Sequence, residues 1–304
     1  MIPPLDMVRG LWRDATFTDR IHLAYFAGLG LLVLVLRHRV DGWPVFLTLH
    51  GAMLVLVGGL VANARRWPVA HAWYPLALPL LLFHEAAHLN FLLVDGWRDH
   101  HLLAFEARIF AEPPTLWLPR VLPWIAGEVL QIGYLAYYPM LPLVAWVLYR
   151  RRDPGPFAGM IAATVLAYMA CYFIFITFPT EGPAHTLRHL HAREPLPGGP
   201  LHSLVLFFQQ AGVHGNAFPS AHVAGVMPPL IFAWRYAPRL AAWLTPLVPL
   251  MCLGAVYDRY HYVSDVFAGL PLGAGAAGLV MIVQSRPAWA RRLNLAPSTQ
   301  AGAS

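Results

Sequence analysis

The sequence predicts an all-α fold, a polytopic integral membrane helix bundle of about eight transmembrane helices. Hydrophobic residues make up 58% of the chain and charged residues only 12%, with a mean hydropathy of +0.53. That leaves too little polar surface to cover a soluble protein of 304 residues. The apolar residues also recur in runs of bilayer-crossing length, roughly 20 residues each.

The runs fall at about 21–36, 43–62, 71–94, 124–149, 157–178, 220–236, 241–257 and 265–284. The first ends in Arg37-His38-Arg39 and lacks a small-residue cleavage site, so it reads as a retained helix rather than a signal peptide. Between the third and fourth runs, residues 95–120 carry Trp97, Phe105, Phe110 and Trp117 among Arg98, Glu106 and Arg108. That mixture predicts an interfacial helix in the headgroup layer, or an aromatic-belt loop. The organisation expected is an N-terminal helix pair over 1–66, a membrane core over 67–290 and a flexible cytoplasmic tail over 291–304. Cys171 and Cys252 both lie inside apolar runs and read as packing residues.

Orientation follows from the arginines, which supply all 21 basic residues. Placing both termini inside puts Arg65-Arg66, Arg150-Arg151-Arg152, Arg235 with Arg239, and Arg286 with Arg291-Arg292 in the cytoplasm, as the positive-inside tendency prefers. The net charge of +6 is then loop charge, and nucleic acid is not an expected partner. The same arrangement puts 179–219 and 258–264 together on the opposite face, the periplasm or exterior if the membrane is a bacterial inner membrane.

Two stretches on that face carry the chemistry. Gly215-Asn216-Ala217-Phe218-Pro219-Ser220-Ala221-His222 and Tyr257-Asp258-Arg259-Tyr260-His261-Tyr262-Val263-Ser264-Asp265 each put a histidine at the edge of an apolar run. The interval between them fits two membrane crossings, which return both imidazoles to one side. Ser220 can cap the helix that follows, and the free N–H groups of that first turn attract a phosphate. His222 is placed to protonate a leaving oxygen. His261 and Asp265 are four apart, so the carboxylate can hold one ring nitrogen and leave the other to attack. Asp265 can also serve as the N-cap of the last long helix. Arg259 and Arg188 are the candidate phosphate-binding cations, with loop charge as the plainer reading of each. His185, His189 and His191 lie in the same loop as Arg188, where they could assist or bind a metal, with solvated loop residues as the plainer reading.

Phe218-Pro219-Ser220-Ala221-His222 and His261-Tyr262-Val263-Ser264-Asp265 resemble the second and third signatures of the type-2 phosphatidic acid phosphatase superfamily. The resemblance implies a six-helix phosphatase-like core behind two N-terminal helices. It also implies a phosphohistidine on His261, an orienting Asp265 and His222 as the acid. The cations of the first and third signatures are missing: the chain has no lysine, and Gly254-Ala255 stands where Ser-Arg is usual. Those departures, with Phe178-Pro179-Thr180-Glu181-Gly182-Pro183 and Arg259-Tyr260-His261-Tyr262, are similar to the inositol phosphorylceramide synthase branch. The implied substrate is a membrane lipid phosphate, pyrophosphate or phospho-headgroup, with water or an alcohol or lipid acceptor. The chemistry requires no metal or organic cofactor.

A competing signal is His84-Glu85-Ala86-Ala87-His88, which matches the H-E-x-x-H zinc motif inside the third run. It admits an intramembrane zinc metalloprotease. The milder reading makes His84, Glu85 and His88 second-layer or cavity residues, since ionisable groups within a membrane are functional candidates. A non-enzymatic lipid transporter using the same polar cavity is the third alternative.

Overall fold

The computed structural model describes residues 5–193, 196, 198–210 and 213–292, and is all-helical over them. Residues 293–304, most of the expected tail, lie outside the described residues, while 291–292 close the last helix. In chain order the helices are α1 (Leu5–Asp14), α2 (Phe17–Val35), α3 (Trp43–Ala62), α4 (Pro68–His88), α5 (Asp99–Glu106), α6 (Pro114–Val121), α7 (Trp124–Tyr149) and α8 (Gly155–Thr177). There follow α9 (Pro183–Thr186), α10 (Arg188–His191), α11 (Pro200–Gln210), α12 (Ala221–Tyr236), α13 (Pro238–Leu244), α14 (Leu247–Tyr257), α15 (Val263–Gln284) and α16 (Pro287–Arg292).

Six helical stretches among the described residues are long and apolar enough to cross a bilayer: α2, α3, α7, α8, α13 with α14, and α15. The other two of the eight expected spans are helical but do not meet that standard. Run 71–94 becomes α4, which ends at His88 and at 21 residues is long enough to cross, but His71, His84, Glu85, His88 and the internal Pro75 and Pro79 make it less apolar than the six. Run 220–236 becomes α12, only 16 residues long, where a full crossing needs about 20. The interfacial helix expected over 95–120 is two short helices, α5 and α6, split at 107–113.

Local chemistry sets the helix starts. Thr16 and Asp19 form a reciprocal capping box at α2, Pro68 opens α4, and Ser220 accepts from the Val223 N–H at 3.4 Å to start α12. α15 begins at Val263, three residues before the start expected from an Asp265 cap. Tyr262 is the N-cap, and Asp265, now at the third helical position, reaches back to the Tyr262 N–H at 2.9 Å.

The core is built on α8, whose buried residues run nearly its whole length and which packs against α4, α12 and α15. α12 lies along α15, and α14 along α7. The N-terminal pair α2–α3 is joined to α4 by two buried polar links. One is Asp19 with His71 (3.0 Å) and Tyr74; the other is Glu85 with His50 and the Tyr25 hydroxyl (3.2 Å).

The α12–α15 contact depends on Gly269 in particular. A Cβ there would lie 2.7 Å from the Ser220 carbonyl oxygen and 3.1 Å from Val223 Cβ. Gly269→Ala is therefore expected to lower the thermal midpoint in detergent by the equivalent of about 1–3 kcal/mol, the usual cost of overpacking. An unchanged midpoint would show that the helices have room to part.

Candidate active site

The first turns of α12 and α15 start at the same level, and the loops leading into them meet. The Ser220 N–H donates to the Asp265 carbonyl at 3.0 Å, which welds the two helix starts together. His222, in the first turn of α12, comes within 6.1 Å of His261, centroid to centroid, with the rings inclined at 66°. His261 Nδ1 lies 3.2 Å from Asp265 Oδ2. The contact is not the i,i+4 face of one helix, because His261 precedes the N-cap. It forms because the carboxylate that caps the helix also reaches the imidazole. Burial pushes His261 down to about 4, against the opposing pull of the Ala217 backbone. The ring is therefore neutral near pH 7, and with Nδ1 turned to Asp265 its Nε2 lone pair faces away from the carboxylate.

Both approach loops hold a residue in the left-handed region, Asn216 at φ 61° and Arg259 at φ 68°. Each costs on the order of 1–2 kcal/mol in a non-glycine residue and is restrained by its own side chain. Asn216 Nδ2 donates to the Phe83 carbonyl at 2.8 Å, and Arg259 Nη1 to the His191 carbonyl at 3.2 Å. Arg259 is thus buried in the loop that carries His261, one residue from Tyr260 and two from His261. Arg188 is exposed on α10, and its charge is felt by His185. Its guanidinium makes no hydrogen bond or ion pair among the described residues.

Glu85 is buried, but its partners are Tyr25 and His50 on α2 and α3. His84 and His88 are exposed, and His88 Nδ1 lies 2.9 Å from the His84 carbonyl. The H-E-x-x-H run thus divides, with its glutamate turned into the N-terminal helix pair and its histidines outward. None of the three contacts His222, His261 or Asp265 in the described interactions.

Several residues around the histidines, above all Tyr134, Tyr137, Asp99 and Glu106, lie outside the motifs of the sequence. Tyr134 and Tyr137 of α7 stand 5.4 and 4.6 Å from the His222 ring, and Tyr134 is also 5.3 Å from Tyr260. Together they wall the histidine pair with aromatic surface. Asp99 and Glu106, one at each end of α5, are buried against the catalytic loops. Asp99 accepts from the Glu181 N–H (2.8 Å), the Gly182 N–H (2.8 Å) and the Tyr262 hydroxyl (3.1 Å). Glu106 accepts from the N–H (2.8 Å) and hydroxyl (3.0 Å) of Ser264. Burial raises Glu106 above its ordinary value in spite of those donors. Thr180 completes the frame, its hydroxyl accepting from the Phe218 N–H at 2.7 Å. The Phe178-Pro179-Thr180-Glu181-Gly182-Pro183 segment therefore lies between α5 and the loop that leads to His222. Behind Arg259, buried Asp258 is held by Gln131 at 2.5 Å and His202 at 3.3 Å, and burial raises its carboxyl.

The profile of the PAP2 superfamily matches residues 100–279, more than half of the chain, and the protein belongs to that superfamily. The match runs from α5 to α15 and takes in both histidines, Asp265 and Glu106. No curated protein and no solved structure matches the chain. Membership in this superfamily points to a membrane phosphatase or phosphotransferase with a lipid phosphate as the class of substrate.

The α5 contacts generate a graded expectation. Asp99→Ala leaves two backbone N–H groups and one hydroxyl without their acceptor, at a cost on the order of 1–3 kcal/mol for each unsatisfied buried donor. Tyr262→Phe removes one bond of about 1 kcal/mol and leaves no orphan. Thermal unfolding in detergent should therefore rank Asp99→Ala well below Tyr262→Phe; equal midpoints would mean that Asp99 is not holding the 181–182 backbone.

Proposed function

We propose that the protein cleaves or transfers a phosphoryl or phospho-headgroup from a membrane lipid through a phosphohistidine on His261. The observation that carries this reading is the pair of imidazoles 6.1 Å apart, centroid to centroid, His261 buried and His222 half-buried, with Asp265 on the inner nitrogen of His261. In the first step His261 Nε2 attacks phosphorus, the P–N bond forms and the P–O bond to the lipid alcohol breaks. His222 gives its proton to the departing oxygen once the negative charge of the bound phosphate favours the imidazolium. Asp265 keeps the Nδ1 proton in place and stabilises the charge that develops on the ring. In the second step an oxygen of water or an acceptor alcohol attacks phosphorus and passes its proton back to His222. The P–N electrons then return to His261.

The phosphate would rest against the N–H groups of the first turn of α12 beyond Ser220, with Arg259 as the neighbouring cation. Arg188 is the candidate for the outer approach, where the polar head of the lipid enters. Hydrolysis and transfer share this half of the reaction and differ only in the second nucleophile. The departures at Gly254-Ala255 and the Phe178-Pro179-Thr180-Glu181-Gly182-Pro183 segment support the inositol phosphorylceramide synthase-like branch, and with it transfer to an alcohol or lipid acceptor. The orientation of the arginines supports a site on the periplasmic or exterior face.

The test is turnover of phosphorus-labelled lipid phosphates and phosphatidylinositol by the purified protein in chelator, with and without acceptor lipids, beside His261→Ala and His84→Ala. The reading predicts turnover that survives chelation and His84→Ala and falls at least ~1,000-fold in His261→Ala. Labelled free phosphate marks a hydrolase and a labelled new lipid a transferase. Turnover lost on chelation and in His84→Ala, but kept in His261→Ala, would overturn it in favour of the zinc motif. Lipid movement between leaflets that persists in His261→Ala with no turnover in any variant would favour the transporter.

The acidity of His261 adds a second expectation. With a folded pKa lowered from 6.5 to about 4, the neutral nucleophile persists as pH falls below the free-imidazole value and is lost only through about 4. The acid limb of kcat/KM should therefore lie below pH 5. A limb centred near 6.5 would identify a solvated imidazole as the group that titrates.

A further inference from the structure

Glu181, His185 and His214 come together beside the active site on two different segments. Their ligand-capable atoms, one from each residue, all lie within 4.8 Å of one another. His214 Nε2 is 2.7 Å from Glu181 Oε1, and the His185 and His214 rings are 4.2 Å apart at 40°. Two imidazoles and a carboxylate are the donor set of three-ligand zinc sites, in which a solvent molecule completes the tetrahedron. The set is also oriented from behind, as metal ligands usually are. The Thr186 hydroxyl donates to Glu181 Oε2 at 3.3 Å, Asp99 holds the Glu181 N–H, and the Trp97 indole lies 5.3 Å from the His214 ring.

We propose that Glu181, His185 and His214 bind one divalent transition-metal ion of the zinc type, clipping the 181–186 segment to the loop that leads into α12. Tetrahedral bonds of about 2.0–2.1 Å bring the donors closer together than the 4.8 Å they now span. Rotation of the two exposed histidines supplies that movement without shifting the backbone. On binding, His214 Nε2 surrenders its proton and its hydrogen bond to Glu181, and both become bonds to the ion. The backbone path from the clip is short: Asp99 accepts from Glu181 and Gly182 on one side and from Tyr262 on the other, and five residues separate His214 from Ser220. The ion braces the mouth of the site and takes no part in the transfer of phosphorus. Zinc binding and chelator-resistant turnover are therefore separate measurements, and failure of either leaves the other intact.

The experiment titrates zinc into protein that has been freed of its affinity tag and stripped with chelator. It reads stoichiometry and affinity by competition with a chromophoric chelator, and geometry from the visible absorption of the cobalt-substituted protein. One equivalent per chain with a tetrahedral cobalt spectrum is expected. Affinity should fall at least ~100-fold in His214→Ala and in His185→Ala, and about 10-fold in Thr186→Ala, which leaves all three ligands and removes only the orienting hydroxyl. Affinity should also weaken as pH falls from 7.5 to 5.5, because the ligand imidazoles must be neutral. Where an alanine variant does not fold, His214→Gln, which keeps bulk and polarity but offers no ring nitrogen, takes its place. No binding tighter than ~10 μM, or binding that survives the His185 and His214 changes and is lost in His84→Ala with His88→Ala, would overturn the proposal.

Discussion

The candidate site depends on one contact, the abutment of the first turns of α12 and α15. The Ser220 N–H meets the Asp265 carbonyl at 3.0 Å, and Gly269 one turn further on leaves no side chain to hold the helices apart. Because both helices start at that point, His222 and His261 are delivered to the same place by backbone geometry rather than by flexible side chains. The position of His261, the proposed nucleophile, follows from the same residue, since Asp265 both caps α15 through the Tyr262 N–H and holds His261 Nδ1. Removing the carboxylate would loosen a helix start and a catalytic ring together.

Around that contact, acidic side chains do the work that water does at the surface of a soluble protein. The loops over 178–183, 213–219 and 258–262 lie at the edge of an apolar bundle, where an unsatisfied backbone N–H is costly. Asp99 takes two of these donors, Glu106 takes Ser264, and Asp265 takes Tyr262. Asp99 and Glu106 face donors on segments remote from α5, so α5 becomes a strut against the loops that carry the two histidines rather than a free interfacial helix. The two left-handed residues, Asn216 and Arg259, are likewise tied to carbonyls of distant segments. The strain they store is confined to the turns that present His222 and His261.

Much of this was legible in the sequence, for identifiable reasons. Serine before an apolar run announces a cap, so the start of α12 and the place of His222 could be read directly. The His261–Asp265 pairing was also readable, although the structure makes it with a capping carboxylate and not along one helical face. The number of crossings was less legible: α4 is long enough but diluted by histidines and prolines, and α12 has only 16 residues, so neither reaches both the length and the apolarity of the other six. Asp99 and Glu106 look in sequence like the polar half of an interfacial helix. Only the fold brings them to 181–182 and 262–264, contacts 82 to 163 residues away along the chain. Tyr134 and Tyr137 are indistinguishable in sequence from the other aromatics of an apolar span. The H-E-x-x-H spacing matched a zinc motif, yet Glu85 is turned to Tyr25 and His50 while the two histidines face outward. The histidines that converge are His185, one of the loop histidines of the sequence, and His214, which no motif singles out.

The central claim is that phosphorus passes through His261, and the most direct measurement is rapid-quench trapping with a lipid substrate labelled at phosphorus, followed by peptide mapping of the protein. The account predicts a transient label on the peptide that contains His261, stable to alkali and labile to acid as a phosphoramidate is, and accumulating when acceptor is withheld. Turnover with no trapped label, or a label on any other residue, would contradict it.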